Sequence, residues 1–239
     1  MNHSLYPHGS SLPLGEGGER GLIKLCGMRD SDNIRAAELM DIDWMGFIFW
    51  PGSSRYVAER PSYLPEKTKR VGVFVNADIP FILRHVNEYD LDFIQLHGSE
   101  SIDSIRELRN RLSETKRSVG IIKAFSIESG SDLSRCAPYE PLVDYFLFDT
   151  KCDTVGGSGR QFNWNILQAY TGSVPFLLSG GIGPDSIPLL RCFSHPRCIG
   201  IDLNSRFELA PALKDISRLR SFLSQLNARL PIRMAYIFN

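Results

Sequence analysis

The sequence predicts a single-domain α/β fold, a closed (β/α)8 TIM-type barrel, and three observations lead there. Eight short apolar runs recur along the chain, their mean step is about 25 residues, and the segments between them carry helix-like spacing. A step of that length holds one strand, one helix and two loops, the crossover that parallel strands require and hairpins do not. Strands buried on both faces should read as near-continuous apolar runs, and these do. The alternative is an open doubly wound sheet. Against it, no G-x-G-x-x-G follows the first run, which leads instead into Cys26-Gly27-Met28-Arg29.

In order, the predicted strands are Leu22–Cys26, Trp44–Phe49, Val71–Val75, Phe93–Leu96, Gly120–Phe125, Tyr145–Phe148, Pro175–Leu178 and Cys198–Leu203. Ile34, Ala37, Glu38 and Met40 follow an Asp30-Ser31-Asp32 cap cluster, and Ile102, Ile105, Leu108 and Leu112 follow Ser99-Glu100, both helical patterns. The barrel is expected over residues 22–230. Residues 1–21, rich in Gly and Pro, bury too little apolar surface to offset their ordering entropy and are expected to form a disordered tail. Residues 231–239 form a C-terminal tail, apolar in places.

Composition excludes several function classes. Lys+Arg 27 balance Asp+Glu 27, so electrostatic capture of nucleic acid or of an anionic membrane is not expected. No run reaches the roughly 18 apolar residues of a membrane span, and residues 1–21 lack the apolar stretch of a secretory signal. The chain is expected in the cytoplasm, as a monomer or homodimer. Its five cysteines form no C-x-x-C framework, which reads as reduced thiols, with no metal site.

In a barrel, the carboxyl ends of the strands form the active face. The first run ends in Lys24-Leu25-Cys26, and period two places Lys24 and Cys26 on one face. Cys26 is read either as a group at the mouth or as a small buried hydrophobe. The sixth run ends in Asp149-Thr150-Lys151, where a carboxylate after four apolar residues needs hydrogen bonds, a partner such as Lys151, or a proton. Three strand steps separate it from Cys26, so the two would face each other as an acid and a base.

The seventh run leads into Ser179-Gly180-Gly181-Ile182-Gly183-Pro184, with a helix expected from Asp185-Ser186, and the eighth continues Asp202-Leu203-Asn204-Ser205-Arg206. Loops after strands seven and eight are the recurring phosphate site of barrels, which makes Gly181, Ile182, Gly183, Asn204, Ser205 and Arg206 candidates. Arg55, in the loop after the second run, suits a carboxylate, or is a solvated surface arginine. Gln95 and His97 share one parity on the fourth run, and His97 is either a site residue or a hydrogen-bonded core histidine. Gly156-Gly157-Ser158-Gly159-Arg160 has the composition of a mobile cover, and equally of a slack surface loop.

Taken together, these stretches resemble the phosphoribosylanthranilate isomerase family of tryptophan biosynthesis. The matching segments are Lys24 to Met28, Gly46 to Phe49 leading to Ser54-Arg55-Tyr56, Val71 to Asn76, Gln95 to Gly98, Phe148 to Lys151 with Gly156 to Gly159, Ser179 to Gly183, and Gly200 to Ser205 ending near Lys214-Asp215. They span about Leu22 to Leu226 in the family's order and spacing. The resemblance implies Cys26 as general base, Asp149 as general acid, Arg55 on the anthranilate carboxylate, and phosphate held by Gly181 to Gly183 and Asn204-Ser205. Gln95, His97 and Asp202 are expected to complete the substrate site. One departure is Arg206, where many members carry Gly; it either adds a phosphate contact or points outward.

The implied reaction is an Amadori rearrangement of N-(5-phosphoribosyl)anthranilate to the aminodeoxyribulose phosphate. It has the substrate's own nitrogen as electron sink and so needs no cofactor. It asks Asp149 to hold a proton near pH 7 although a carboxyl ordinarily loses it near about 3.9, and asks the Cys26 thiol to fall from about 8.5 under the field of Lys24. The histidine-pathway aminoaldose isomerase is a neighbouring reading, but an Asp is expected there in place of Cys26. A silent phosphate-binding barrel should have lost Cys26, Arg55 or Asp149, and all three are present.

Overall fold

Each predicted run becomes a strand: β1 Leu22–Cys26, β2 Trp44–Ile48, β3 Lys69–Phe74, β4 Phe93–Leu96, β5 Gly120–Ile127, β6 Tyr145–Thr150, β7 Phe176–Ser179 and β8 Cys198–Leu203. The structure, a computed structural model, describes residues 21–115, 117–150 and 164–227. The tails predicted at 1–21 (Gly21 apart) and 231–239, and the glycine-rich segment 156–159, lie outside them. The strands pair in parallel in chain order, and β8 returns to β1 to close the barrel. β6 runs two residues past its apolar stretch, so Asp149 sits within the ladder, opposite Ser179 on β7.

Trp44, Val71, Ile122, Ala124, Leu147 and Leu177 fill the pore. At its amino-terminal end, Trp44 stacks on Phe93 with ring centroids 4.3 Å apart and meets Tyr145 edge-on at 5.2 Å. These are the first residues of β2, β4 and β6, the alternate-strand layering a packed barrel uses. A second, larger core lies between barrel and helices, where Ile34, Ile105 and Phe222 pack on outward residues such as Leu25 and Phe146.

Among the described residues, α-helices are fewer than the eight expected. The α-helices are α1 Ser31–Glu38, α2 Ile79–Tyr89, α3 Ile102–Ser113, α4 Ile187–Cys192 and α5 Ile216–Asn227. Residues 49–68, between β2 and β3, contain no helix; Pro51, Gly52, Pro61 and Pro65 interrupt any helical ladder there. Between β5 and β6 lies a 3-10 segment, Gly130–Leu142, that carries Pro138 and Pro141 inside it. A further 3-10 turn, Trp164–Ala169, precedes β7.

The cap at α1 is Asp30, which accepts from the Asn33 amide at 2.8 Å. At α3 it is Ser101, because Glu100 is taken up in a buried ion pair described below. The helix expected at Asp185 begins later, since Pro184–Ser186 form a 3-10 turn and α4 follows it.

Closure leaves no room at one position. A Cβ on Gly200 would fall 2.1 Å from the Leu22 carbonyl oxygen across the β8–β1 seam. Gly200→Ala should therefore lower unfolding free energy by about 1–3 kcal/mol in urea titrations. Gly130→Ala, whose new methyl would meet only Ala169 at 3.7 Å, serves as the control and should show no comparable loss.

Candidate active site

The register of the last strands builds a polar arc across the mouth. Lys24 on β1 lies opposite Asp202 on β8, and its fully buried ammonium donates to Asp202 Oδ1 at 2.7 Å. Ser179 of β7 donates to Asp202 Oδ2 at 3.2 Å. Ser179 is in turn the register partner of Asp149 on β6. Both oxygens of Asp202 are thus engaged by the protein.

Cys26 ends β1 opposite Gly46 on β2. A Cβ at Gly46 would fall 2.7 Å from Cys26 Sγ, so the thiol occupies space that a larger residue would deny it. The expectation of a lowered thiol pKa is corrected here. Burial raises it above its ordinary value, and the opposing pull of Lys24 does not overcome that; Asp202 adds to the rise and Lys214 opposes it. Burial works against the Lys24 charge, and the Asp202 carboxylate beside it keeps its pKa above the ordinary value.

Gln95 and His97 meet as their shared parity suggests. The Gln95 amide nitrogen lies 2.9 Å from His97 Nδ1, so Nδ1 accepts and a neutral ring carries its proton on Nε2. Nε2 stands 3.9 Å from Asp149 Oδ2, close enough for electrostatics and too far for a hydrogen bond. Burial lowers the His97 pKa against the pull of Asp149. His97 is therefore a mouth residue beside Asp149. Lys151, the other partner considered for Asp149, lies outside the described residues.

The turn that carries His97 is pinned from behind. Lys123 on β5, buried, donates to the Gly98 carbonyl at 2.8 Å and to Glu100 at 3.0 Å. Glu100 accepts from the amides of Asn76 and Gly98, each at 3.0 Å.

Arg55 is half-buried and paired. Its Nε and Nη2 grip Glu208, with Nε–Oε1 at 2.9 Å and Nη2–Oε2 at 2.6 Å. Glu208 lies on β9 (Glu208–Ala210), which pairs with β10 (Leu213–Lys214) just after β8. Lys214, fully buried, donates to Glu208 Oε1 at 2.7 Å and to Asn204 Oδ1 at 2.8 Å. Gly27, at φ +77°, lets Arg55 and Asn204 close over the turn after Cys26; a Cβ there would meet Arg55 Cδ at 2.7 Å.

On the far side, Gly180 takes φ +103° with no room for a Cβ, which would lie 2.1 Å from the Thr150 carbonyl oxygen. Gly181 is exposed, Ile182 is buried, and the Gly183 amide donates to Ser186 Oγ at 3.0 Å. Ser205 and Arg206 begin a 3-10 turn that follows Asn204, whose side chain makes no cap and accepts from Lys214 instead. The Arg206 side chain does not point away from the loop: a Cβ at Gly183 would fall 2.9 Å from its Nε. Its guanidinium reaches Asp185 at 3.5 Å.

The family model described as N-(5'-phosphoribosyl)anthranilate isomerase matches residues 23–225. The chain is 53% identical over 209 residues to the N-(5'-phosphoribosyl)anthranilate isomerase of Phocaeicola vulgatus, covering 87% of this chain and 99% of that one. The chain belongs to the phosphoribosylanthranilate isomerase family.

Solved structures agree with the family assignment. The phosphoribosylanthranilate isomerase of Thermotoga maritima superposes with TM-score 0.72 at 29% identity, over 86% of this chain and 98% of its own. A second solved structure of a phosphoribosylanthranilate isomerase, in complex with reduced 1-(o-carboxyphenylamino)-1-deoxyribulose 5-phosphate, superposes with TM-score 0.70 at 26% identity over the same shares. Among the described residues, no helix is long and apolar enough to cross a membrane.

Two groups escaped the sequence reading of this family member. Glu208 gave no signal, and Lys214 appeared only inside a matching stretch; the one available hint was a pair of opposite charges shortly after the last strand. Their effect is measurable. The thiol of Cys26 is faced by Lys24 on its own strand, Asp202 on β8, Lys214 on β10 and Arg55 from the loop after β2. Removing the Lys214 ammonium in Lys214→Met takes away a charge that favours thiolate. The pH profile of Cys26 alkylation by iodoacetamide should move to higher pH, read against Cys26→Ala as background; a move to lower pH would contradict the arrangement.

Proposed function

We propose that this chain catalyses the Amadori rearrangement of N-(5'-phosphoribosyl)anthranilate, with Asp149 as general acid and Cys26 as general base. The observation that supports it best is the arc from Asp149 through Ser179, Asp202 and Lys24 to Cys26, which sets a carboxyl and a thiol three strand steps apart around one mouth. Asp149 protonates the furanose ring oxygen, the C–O bond breaks, and the anthranilate nitrogen takes up the positive charge as an iminium. Cys26 then removes the C2 proton, the electron pair moves to nitrogen, and the resulting enolamine gains a proton at C1 as its C2 hydroxyl gives one up, which yields the ketone. No oxidant, metal or coenzyme enters this balance.

The resting thiol faces opposing demands. Burial holds its proton, and two buried ammonium groups favour its loss. The cationic iminium formed in the first step adds to that pull just when the base is needed. Arg55 is assigned to the anthranilate carboxylate, whose planar geometry its fork matches. Gln95 and His97 are assigned to the ribose side of the substrate; among the described residues, Gln95 Oε1 is buried without a hydrogen-bond partner, which leaves it an acceptor for a ligand hydroxyl. For Asp202, already shared between Lys24 and Ser179, we propose a role that reaches the substrate through those neighbours. Phosphate is assigned to Gly181, Ile182, Gly183, Asn204 and Ser205, with Arg206 as an added cation. We propose the cytoplasm as its setting, where a thiol base stays reduced.

Freshly made phosphoribosylanthranilate is fluorescent, and its consumption reads the reaction directly. Wild type should consume it, while Cys26→Ala and Asp149→Asn should each lose roughly 10²–10⁴ in rate. Full activity in either folded variant would remove that residue from its role. Arg206→Ala should weaken competition by inorganic phosphate about tenfold, the worth of one charge-assisted contact. Unchanged competition would place Arg206 outside the phosphate site.

A further inference from the structure

The β9–β10 hairpin inverts the usual pattern of a surface ribbon. Its leucines face solvent, Leu209 at 68% and Leu213 at 39% exposure, whereas its charged side chains are buried, Glu208 at 5% and Lys214 at 0%. A ribbon folded for burial would be arranged the other way round, and such local inversions occur where a site demands them. The hairpin sets Lys214 opposite Glu208, and Ala212 takes φ +66° in the turn that makes this possible.

Glu208 is also saturated. Oε1 accepts from Arg55 Nε at 2.9 Å, from Lys214 Nζ at 2.7 Å and from the Ala212 amide at 3.2 Å. Oε2 accepts from Arg55 Nε at 3.0 Å and Nη2 at 2.6 Å. Despite its burial, Arg55 and Lys214 hold the carboxyl below its usual range, so it is ionised. One carboxylate against two cations leaves a surplus positive charge above Gly27, beside Cys26. The clamp takes Nε and Nη2, and Nη1 is not part of it.

We propose that Glu208 is the positioning residue of Arg55, presenting its guanidinium to the carboxylate on the substrate's aromatic ring in a fixed orientation, with Lys214 keeping the cluster cationic. This rests on the assignment of Arg55 made above. A substrate carboxylate then meets an arginine whose rotamers are already restricted, so less ordering cost falls on binding. Glu208 touches no reacting atom. It acts through Arg55, and its loss should appear in the binding of the carboxylate-bearing half of the ligand and not in the phosphate half.

The test compares wild type, Glu208→Gln, Glu208→Asp, Arg55→Ala and the Arg55→Ala/Glu208→Gln double variant as full-length folded protein. KM for phosphoribosylanthranilate is measured, with Kd for reduced 1-(o-carboxyphenylamino)-1-deoxyribulose 5-phosphate and for inorganic phosphate. In Glu208→Gln, KM and the Kd of the reduced product should rise about tenfold or more, while the phosphate Kd stays within about twofold. Glu208→Asp, which keeps the charge, should recover part of the loss and replaces Glu208→Gln should that variant not fold. The double variant should bind the reduced product no more weakly than Arg55→Ala alone. Equal losses for both ligands, an additive double variant, or an unchanged KM in Glu208→Gln would overturn the proposal. Wild type that leaves phosphoribosylanthranilate untouched would overturn the reading of function instead.

Discussion

A lysine ammonium with no solvent exposure, at the seam where the barrel closes, sets the terms for everything around it. Desolvating Lys24 is costly, and the charge survives because Asp202 meets it at 2.7 Å across the β1–β8 register. Loss of either partner would strand a buried charge, at a cost of about 3–5 kcal/mol. The same contact orients the mouth. It engages Oδ1 of Asp202, Ser179 secures Oδ2, and the ammonium then lies one alternation below Cys26. Barrel closure and the electrostatics of the thiol are therefore one constraint, fixed by the pairing of Lys24 with Asp202.

That constraint explains why the thiol rests in its protonated form. A buried sulfur resists ionisation, and Asp202, needed for Lys24, adds a negative charge nearby. Lys214 compensates from the β9–β10 hairpin, and it is itself held by Glu208 and Asn204. The part of the site around Cys26 favours anions: the carboxylates Asp202 and Glu208 are outnumbered there by Lys24, Lys214 and Arg55. A substrate carrying both a phosphate and a carboxylate suits this balance, and a neutral sugar would not use it.

Most of the barrel was legible because strand periodicity and strand burial coincide. Runs such as Ile121-Ile122 and Leu177-Leu178 face the pore with one residue and the helices with the next, so both must be apolar. Helix number was less legible, since residues 49–68 and Gly130–Leu142 have the length of a crossover, and prolines spend it on loop and 3-10 backbone. At the site, Cys26 and Asp149 stood out as polar groups closing apolar runs. Glu208 did not, because its meaning comes from Arg55, 153 residues away in sequence, and from a turn that buries its charges. The expected fall of the Cys26 pKa failed for a related reason: Lys24 was visible in the sequence, but the depth of burial that outweighs it was not.

The site is also shaped by side chains that are missing. Cys26 Sγ sits over Gly46, Arg55 over Gly27, and Arg206 over Gly183. In each case a Cβ would fall within 2.9 Å of the group it displaces. The third pairing bears on Arg206, the departure named in the resemblance to the family. An arginine at 206 needs a surface to lie on and a way to turn toward the loop after β7, and Gly183 supplies both without a change in backbone. Asp185 then balances its charge from 3.5 Å, an exposed pairing weak enough to yield to a phosphate dianion. The substitution thus adds a cation at the rim and leaves the buried machinery as it was, because it acts on the side of the mouth proposed above for phosphate, away from the seam that Lys24 and Asp202 hold closed.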